Sequence, residues 1–262
     1  MSRTRDSKAW LWYRKSEQVI LGIIGLLALL ILWQVAYMAG WINPVMMSSP
    51  MQVVTSGIEQ TSSGSLWSDF GVTALEFAIA FGMAVVLGVL LGMVMGWFSR
   101  AEYIGDPFLW LFYSSPLIAF YPLFVIWFGL GFKTVVLMGF LFAVIPITIN
   151  TMAGIKGTNP VLIRATRSFG GSSWQILSKV AIPSALPMIV TGWRIGVERA
   201  LIGVVVGEMF SSNVGLGFRI SYFGARLQTA NLFVSIVLVV LFGLVLTQLL
   251  RVLENRLLNW QK

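Results

Sequence analysis

The chain contains no cysteine and no histidine among its 262 residues. Without thiolate or imidazole side chains it cannot form the usual zinc sites, a Ser-His-Asp triad or a disulfide framework. Gly-Lys never occurs as a pair, so the phosphate-binding loop that ends in this pair is absent too. We therefore expect no catalytic residue, metal or cofactor in this chain. Any step driven by a nucleotide would need a second protein to bind it.

Charged residues are also scarce, because 11% of the chain is Asp, Glu, Lys or Arg whereas 57% is hydrophobic. This composition is typical of an integral membrane protein. A helix needs about 20 apolar residues to cross the hydrocarbon core of a bilayer. The sequence predicts an all-α integral membrane fold in a single domain, residues 1–262. The six predicted spans are residues 19–39, 72–97, 107–128, 135–153, 186–210 and 232–253.

The first apolar stretch follows a basic segment, an arrangement that secretory signal peptides share. Its length and the lack of a clear cleavage site after it favour a helix that is retained. The preceding segment SKAWLWYRKSEQ, residues 7–18, predicts a short interfacial helix that lies on the membrane surface before the first crossing.

The formal net charge of +8 results from 18 Lys and Arg against 10 Asp and Glu. Most of the basic residues lie before the first span, after the second and fourth spans, or after the sixth. Because Lys and Arg are enriched in cytoplasmic segments, this distribution predicts that both termini are cytoplasmic. Membrane topology thus accounts for the positive charge, and we expect no nucleic acid partner.

A polar interruption, IRATRSFGGSSWQILSKVAIPSALP, occupies residues 163–187. Just before it, Asn159 and Pro160 are a favourable N-cap and first helical residue, and Gly170-Gly171 is a favourable helix end. These signals predict a short amphipathic helix between them.

A second short helix is predicted to begin at Ser172 or Ser173 and to end at Pro183 and Pro187, because proline interrupts the helical hydrogen bonds. Residues 157–183 would then form two short helices joined at a glycine corner, on the cytoplasmic side. Such a structured loop is unusual between membrane helices, where connections are normally short. It is predicted to be a docking surface, and the alternative is a helix pair that merely lies on anionic lipid.

This loop resembles the cytoplasmic coupling loop of bacterial ABC importer permeases, whose pattern is Glu-Ala-Ala, three residues, Gly and, further on, Leu-Pro. The matching residues are Arg164-Ala165-Thr166, Gly170, Ile182-Pro183 and Leu186-Pro187. Arg164 stands where the family usually has Glu, and Thr166 replaces the second Ala. The resemblance implies that residues 157–183, hereafter the coupling loop, bind an ATPase. The candidate coupling residues are Arg164, Ala165, Thr166, Phe169, Gly170, Trp174, Pro183 and Pro187.

Three further stretches resemble the permeases for nitrate, sulfonate, taurine and related small solutes. They are SSPLIAFYPLFVIWFGLG (114–131), TGWRIGVERALIGVVVGEM (191–209) and GLGFRI (215–220). The resemblance extends from about residue 50 onward. Glu76 occupies a position where Arg is expected in the sulfonate and taurine branches, which hints at other solutes such as pyrimidine-type vitamin precursors, riboflavin or aromatic acids.

The resemblance also implies an assembly and a mechanism. Two copies of the permease would sit in the bacterial inner membrane on two ATPase subunits that bind ATP and Mg, and an extracytoplasmic solute-binding protein would deliver the solute. Solute would cross by alternating access, with the coupling loop as the lever. An ion-gradient-driven secondary transporter is the alternative, although it would not need a cytoplasmic docking loop. A channel is less favoured because no selectivity filter or charged ring is evident.

Ionisable residues within spans are costly and are by default functional. Arg194 and Glu198 are four residues apart and are expected to pair on one helix face, which leaves Arg199 to meet Glu76 across helices. Glu208 is expected to be solvated near the outer end of its span. One interpretation of these groups is structural pairing, and the other is a pathway in which an unpaired Arg194 or Arg199 attracts an anionic solute.

Prolines in the third span provide further candidates for the pathway. Pro116 and Pro122 are expected to bend or break the helix near Ser114, Ser115 and Tyr121, where freed polar groups could line a wet cavity. The candidate pathway or buried-ion residues are therefore Glu76, Ser114, Ser115, Tyr121, Arg194, Glu198, Arg199 and Glu208.

Glycines recur every four residues on the second and fifth spans, a spacing that lets helices approach closely. The pattern favours packing within the helix bundle over contacts between two copies of the chain. The glycines are Gly88, Gly92 and Gly96, Gly192 and Gly196, and Gly203 and Gly207.

Overall fold

The computed structural model describes residues 8–257, and the regular secondary structure in this range is entirely helical. The helices are α1 (Lys8–Met38), α2 (Pro50–Ser62), α3 (Ser65–Trp97), α4 (Ser99–Ser114), α5 (Tyr121–Phe128), α6 (Phe132–Lys156), α7 (Pro160–Ser168), α8 (Ser173–Ile176), α9 (Ile182–Ser211), α10 (Leu216–Ala225) and α11 (Thr229–Leu257). A 3-10 turn at Leu117–Phe120 precedes α5, and a π-helical turn at Leu177–Ala181 joins α8 to α9.

Four helices, α1, α3, α6 and α11, are each long and apolar enough to cross a membrane. Two bent arrangements can each provide one further span: α4 followed by residues 117–128 at an angle of 91°, and residues 173–211 followed by α10 at 49°. The described residues thus contain four to six spans. The predicted all-helical membrane fold is confirmed, and the six predicted spans agree with the upper limit of this range.

Helices α3, α6 and α9 form the centre of the bundle, and glycines bring them close together. A Cβ atom added at Gly92 on α3 would lie 2.5 Å from Thr151 Cβ on α6, and one added at Gly203 on α9 would lie 2.9 Å from the Cα of Gly139 on α6. Such distances leave no space for a methyl group. The glycine repeats therefore pack within the bundle, as the sequence predicts.

The predicted interfacial helix at residues 7–18 is not a separate element. From Lys8 onward these residues form the first turns of α1, which continues unbroken to Met38. The segment contains neither glycine nor proline, so no residue in it favours a helix end.

Each of the helices that correspond to the six predicted spans begins earlier than predicted. Helix α3 starts at Ser65 instead of residue 72, and α4 starts at Ser99 instead of Pro107, which lies inside the helix. Hydrophobicity marks the part of a helix that lies in lipid, whereas a helix can continue through polar turns beyond it. The predicted break of the third span is confirmed, because α4 ends at Ser114 and the chain turns sharply before residue 117.

Two helices lie in connections for which no helix was predicted, α2 and α10. The start of α2 has a local sequence signal in Ser49 and Gln52: each side chain accepts a hydrogen bond from the backbone N–H of the other, at 3.2 and 3.0 Å. This capping box, followed by Pro50 in the first turn, is a recognisable helix start. Helix α10 follows Gly215 and has no such side-chain cap.

Candidate functional site

The first helix of the coupling loop begins where the sequence predicts. The side-chain oxygen of Asn159 accepts a hydrogen bond from the backbone N–H of Val161 at 2.9 Å, and Pro160 occupies the first turn of α7. The Asn159 side chain satisfies one of the N–H groups that are left unpaired at a helix start, and Pro160 has no N–H that could remain unpaired.

The glycine corner, Gly170-Gly171, ends α7 with a Schellman motif. The N–H of Gly170 donates to the carbonyl of Arg167 and the N–H of Gly171 donates to the carbonyl of Thr166, both at 3.0 Å. Gly170 has φ of +77°, which favours glycine. At Gly171 the constraint is space, because a Cβ would lie 2.7 Å from Thr166 Cγ2 and 2.8 Å from its carbonyl oxygen.

The second helix of the loop begins at Ser172, one of the two predicted starts. Ser172 and Gln175 form a capping box, in which the Ser172 N–H donates to Gln175 Oε1 at 2.7 Å and the Gln175 N–H donates to Ser172 Oγ at 3.3 Å.

The predicted end of this helix is wrong. Residues 173–211 form one continuous helix, with Pro183 in the first turn of α9 and Pro187 inside it. The π-helical turn allows this continuation, because the N–H of Ile182 donates to the carbonyl of Leu177 five residues earlier. The helix thus contains one extra residue in the turn immediately before Pro183. Pro183 has no N–H, so a regular helical hydrogen bond would be lost at this position.

The corner of the coupling loop exposes two large aromatic side chains. Phe169 is 91% exposed and Trp174 is 71% exposed. Arg164 and Ala165 are exposed on α7, whereas Thr166 is half-buried and donates its hydroxyl to a carbonyl of its own helix. The coupling residues near the corner therefore form an apolar and cationic surface that is available for contact with another molecule.

A cavity of about 370 Å³ lies at the break between α4 and the 3-10 turn, against α6 and α9. Its lining is mostly aromatic and aliphatic, and Arg199 is the one charged residue among the side chains that line it. The lining residues are Phe112, Tyr113, Ser115, Pro116, Leu117, Ile118, Phe142, Ile145, Pro146, Arg199, Ile202 and Val206.

Two prolines leave backbone carbonyls of the cavity lining without their usual helical partner. Pro116 and Pro146 have no N–H to donate to the carbonyls of Phe112 and Phe142, four residues earlier, and all four residues line the cavity. The sequence interpretation included Pro116 but missed Pro146 and both phenylalanines. A proline within a predicted span, at residue 146, was the available signal.

The polar candidates of the third span have separate roles. Ser115 lines the cavity, and its hydroxyl donates to the carbonyl of Leu111 at 2.6 Å. Ser114 also bonds to carbonyls of its own helix and is not among the lining residues. Tyr121 donates its hydroxyl to the carbonyl of Phe210 on α9. Of the three, only Ser115 lies in the cavity.

The predicted Arg194–Glu198 pair does not form. Arg194 instead forms an ion pair with Glu254 on α11, so the contact joins two helices. Glu198 is exposed and has no Lys or Arg nitrogen within 4 Å among the described residues. The spacing allowed the intrahelical pair, but the packing of α11 against α9 supplied a different partner.

The predicted contact between Arg199 and Glu76 is also wrong. Arg199 is exposed and lines the cavity, and no carboxylate of the described residues lies within 4 Å of it. Glu76 is 1% exposed and lies near Glu208, to which Thr73 on the same face of α3 donates a hydrogen bond. The two residues therefore belong to different sites, and Glu76 is not part of the cavity lining.

Glu208 is not solvated, contrary to the sequence prediction, but has an exposed fraction of 0%. Its Oε1 accepts a hydrogen bond from the Thr73 hydroxyl, and its Oε2 accepts one from the N–H of Gly217, both at 2.6 Å. Helix α10 and the loop before it fold back over the end of α9 and bury this carboxylate. That burial depends on tertiary structure, so the position of Glu208 in its span could not reveal it.

A partly buried ion pair continues this polar cluster. Arg219 on α10 donates to Asp69 on α3 at 2.7 Å and also to the side-chain oxygen of Gln60. Asp69 accepts the N–H of Gly215 at 3.0 Å as well. The sequence interpretation missed Asp69, Gln60 and Thr73. The available signal was the Gly-Leu-Gly stretch at the start of α10, because the N–H groups at a helix start attract carboxylates.

Curated relatives match nearly the whole chain. The taurine transport system permease protein of Escherichia coli (strain K12) is 32% identical over 256 residues, which cover 96% of this chain and 93% of the relative. The formylaminopyrimidine transport permease protein of Halalkalibacterium halodurans is 33% identical over 254 residues, which cover 95% and 99%.

A solved structure has the same fold. The inward-facing MetNI methionine ABC transporter aligns with a TM-score of 0.61 at 20% identity, and the alignment covers 73% of this chain and 94% of that one. A family model described as binding-protein-dependent transport system inner membrane component matches residues 84–259. With the coupling loop and the multi-pass helical fold, these similarities show that the chain belongs to this family, the permeases of ABC importers.

Proposed function

We propose that this permease works as one of two copies in a bacterial inner membrane, with both termini cytoplasmic. Two copies of a separate ATPase would bind ATP and Mg, hydrolyse the ATP and dock on the coupling loops, and an extracytoplasmic binding protein would deliver the solute. The distribution of Lys and Arg supports this orientation. Nothing in the fold or in the names of the relatives favours an ion-gradient-driven transporter.

The exposed surface at the glycine corner is the observation that carries the docking proposal. Phe169 leaves nearly its whole ring uncovered, and Trp174 leaves most of its own. Apolar surface of this size gains free energy when a partner covers it, and aromatic residues are frequent among the residues that dominate binding energy. The basic residues Arg164 and Arg167 would add contacts to acidic groups of the ATPase at the rim.

The continuous helix at residues 173–211 supports the proposed lever. It connects the docking surface at Trp174 to Arg199 at the cavity, a distance of about 40 Å along a helix of 26 residues at 1.5 Å per residue. A helix is stiff over this length, so a displacement imposed by the ATPase at one end would reach the cavity. Different contacts in the two states would then supply the coupling free energy.

Arg199 and the aromatic lining of the cavity support an anionic solute. A guanidinium group with no carboxylate partner attracts an anion, and Phe112, Tyr113 and Phe142 can pack on an apolar or aromatic body. We therefore favour small organic anions, such as sulfonates or aromatic acids, over uncharged solutes such as riboflavin. Glu76 does not line the cavity, so it does not indicate the solute.

Mass spectrometry of the complex tests the assembly. The tagged chain would be purified gently from its native membrane, and two copies of the chain with two ATPase subunits are expected. Recovery of the chain alone, still active in uptake driven by an ion gradient, would contradict the importer assembly.

Uptake by cells that carry the complete transporter tests the solute class. Arg199→Gln should lower uptake of an anionic probe, methanesulfonate or benzoate, by about tenfold or more, because a desolvated charge-assisted contact is worth about 1.5 kcal/mol or more. Arg194→Gln is the matched control on the same helix, since its charge is paired with Glu254. Equal uptake by the two variants would contradict the role of Arg199.

A further inference from the structure

The carboxyl groups of Glu76 and Glu208 are buried side by side. Glu76 lies on α3 and is 1% exposed, and Glu208 lies on α9 with no exposed surface. The two groups are close neighbours, since Thr73, which lies three residues before Glu76 on the same face of α3, donates to Glu208 at 2.6 Å. Two carboxylates at such close range repel each other strongly where water is excluded, so a pair of this kind holds a proton or another cation.

No basic side chain of the described residues neutralises this pair. Arg219 is the nearest cation of the polar cluster, but its guanidinium is bound to Asp69 and Gln60. Asp69 and Arg219 cancel each other's charge, so the charge of Glu76 and Glu208 remains uncompensated by side chains. The start of α10 adds a partial positive charge, equivalent to roughly half an elementary charge.

The hydrogen bonds distinguish the two carboxyl groups. Each oxygen of Glu208 accepts from a donor, one from the Thr73 hydroxyl and one from the N–H of Gly217. The Thr73 hydroxyl accepts the N–H of Leu216 at 2.9 Å, so its proton is available to an acceptor. Two acceptors are in reach, Glu208 Oε1 at 2.6 Å and the carbonyl of Asp69 at 3.2 Å, and the shorter contact is the one to Glu208. Glu208 is thus surrounded by donors, as an ionised carboxylate requires.

Glu76 has the opposite surroundings. Its Oε2 is buried and receives no hydrogen bond from any described residue. An ionised carboxylate at this position would lose its hydration without a single replacement donor, which is strongly unfavourable. A protonated acid avoids this cost, because it donates its proton to Glu208 and carries no charge.

We propose that Glu76 and Glu208 form an acid–carboxylate pair that holds one proton, with Glu76 as the donor and Glu208 as the acceptor. The pair joins α3 to α9, and through Gly217 it fixes the first turn of α10. Glu208 is then the residue that positions α10, and Glu76 makes the burial of its charge tolerable. Gly215 and Gly217 pack directly on the Glu208 side chain, where a Cβ at Gly217 would lie 2.8 Å from Glu208 Cβ.

Infrared spectroscopy of the purified protein in lipid at neutral pH tests for the proton. A protonated carboxyl group has a C=O stretching band separate from the carboxylate bands. We expect this band in the wild-type protein and its loss in Glu76→Gln. Glu254→Gln is the control and should keep the band, since Glu254 is paired with Arg194. Absence of the band in the wild type, or its persistence in Glu76→Gln, would overturn the proposal.

Thermal unfolding provides a second test, which depends on which residue donates. In Glu76→Gln the amide replaces the acid as donor, so the unfolding temperature should stay within about 2 °C of wild type. In Glu208→Gln the NH₂ group would face Thr73 or Gly217, both donors, and the unfolding temperature should fall by roughly 5 °C or more. Equal shifts in the two variants would contradict the assignment.

Sodium titration of the wild-type protein separates a proton from a bound cation. If the pair holds a proton, replacing sodium by N-methylglucamine should leave the unfolding temperature and the infrared band unchanged. Stabilisation by sodium, together with a missing band, would mean that the two carboxylates bind a metal cation and would overturn the proposal. Both readouts on the wild type remain valid even if Glu208→Gln fails to fold.

Discussion

Both ends of the long helix at residues 173–211 are flanked by glycines, but in opposite surroundings. At Gly170, nothing lies within 4 Å of the position of an added Cβ, and the neighbouring Phe169 is almost fully exposed. At the other end, Gly215 and Gly217 are buried against the carboxylate of Glu208. The comparison shows one glycine used mainly for its backbone conformation and another used for its size.

The largest expected effect is at Gly217. In Gly217→Ala the added methyl group would overlap the carbonyl oxygen of Val205 and crowd Glu208, and both belong to the rigid end of α9. We expect a loss of about 3 kcal/mol in the free energy of unfolding, as for other overpacked core sites. Thermal unfolding and yield in membranes would measure it. The matched control is Gly82→Ala on α3, which has open space and should be neutral or slightly stabilising.

The next largest effect is expected on binding of the ATPase, at the exposed end of the long helix. Phe169→Asp should reduce affinity for the ATPase by about 30-fold, roughly 2 kcal/mol, because it removes an apolar anchor of a docking surface. The unfolding temperature should not change, since the ring contacts almost nothing in the chain. Co-purification of the ATPase is the measurement, with Met46→Asp as an exposed control elsewhere. Full ATPase recovery with Phe169→Asp would show that the corner lies on lipid instead.

A smaller loss is expected for Gly171→Ala, at the same corner. The new methyl group would crowd the side chain and the carbonyl of Thr166, so the Schellman motif must open slightly. We expect a loss of about 1 to 2 kcal/mol in the free energy of unfolding. The double variant with Thr166→Ser, which removes Cγ2, should recover part of that loss. No recovery would mean that the carbonyl contact dominates.

The smallest effect is expected at Gly170, where only backbone conformation matters. Gly170→Ala should cost about 1 kcal/mol because an alanine at φ of +77° is strained. Gly170→Asn should cost less, since asparagine tolerates the left-handed conformation better. Thermal unfolding of the two variants side by side would measure the difference. A loss as large as that of Gly217→Ala in either variant would remove the contrast between the two ends.

Sequence reasoning succeeded where the determinants are local. Asn159 and Gly170 mark helix ends through hydrogen bonds to residues only a few positions away, so their spacing is sufficient to identify them. The break after Ser114 was also predictable from a local signal, because the residue before a proline disfavours the α conformation and Ser115, directly before Pro116, is extended.

Sequence reasoning failed where a side chain contacts residues that are distant in sequence. Arg194 pairs with Glu254, 60 residues away, and the four-residue spacing to Glu198 gave no sign of this. Glu208 is buried because α10 folds back over it, and hydrophobicity along α9 cannot indicate that. The predicted helix end at Pro183 was wrong for a different reason. A π-helical turn compensates for the missing donor, and no residue type in the sequence indicates such a turn.

The π-helical turn at Leu177–Ala181 also has a consequence for rotation. Its i to i−5 hydrogen bond closes one turn with one residue more than an α-helical turn contains, so the extra residue is accommodated inside that turn. The α-helical segments on either side therefore keep nearly the same relative direction, and Trp174 projects as it would from a regular helix that is one residue shorter. Deleting Ser178 would restore a regular helix and leave the direction of the docking face nearly unchanged, whereas a residue inserted into a regular turn between Trp174 and Arg199 would rotate it by about 100°.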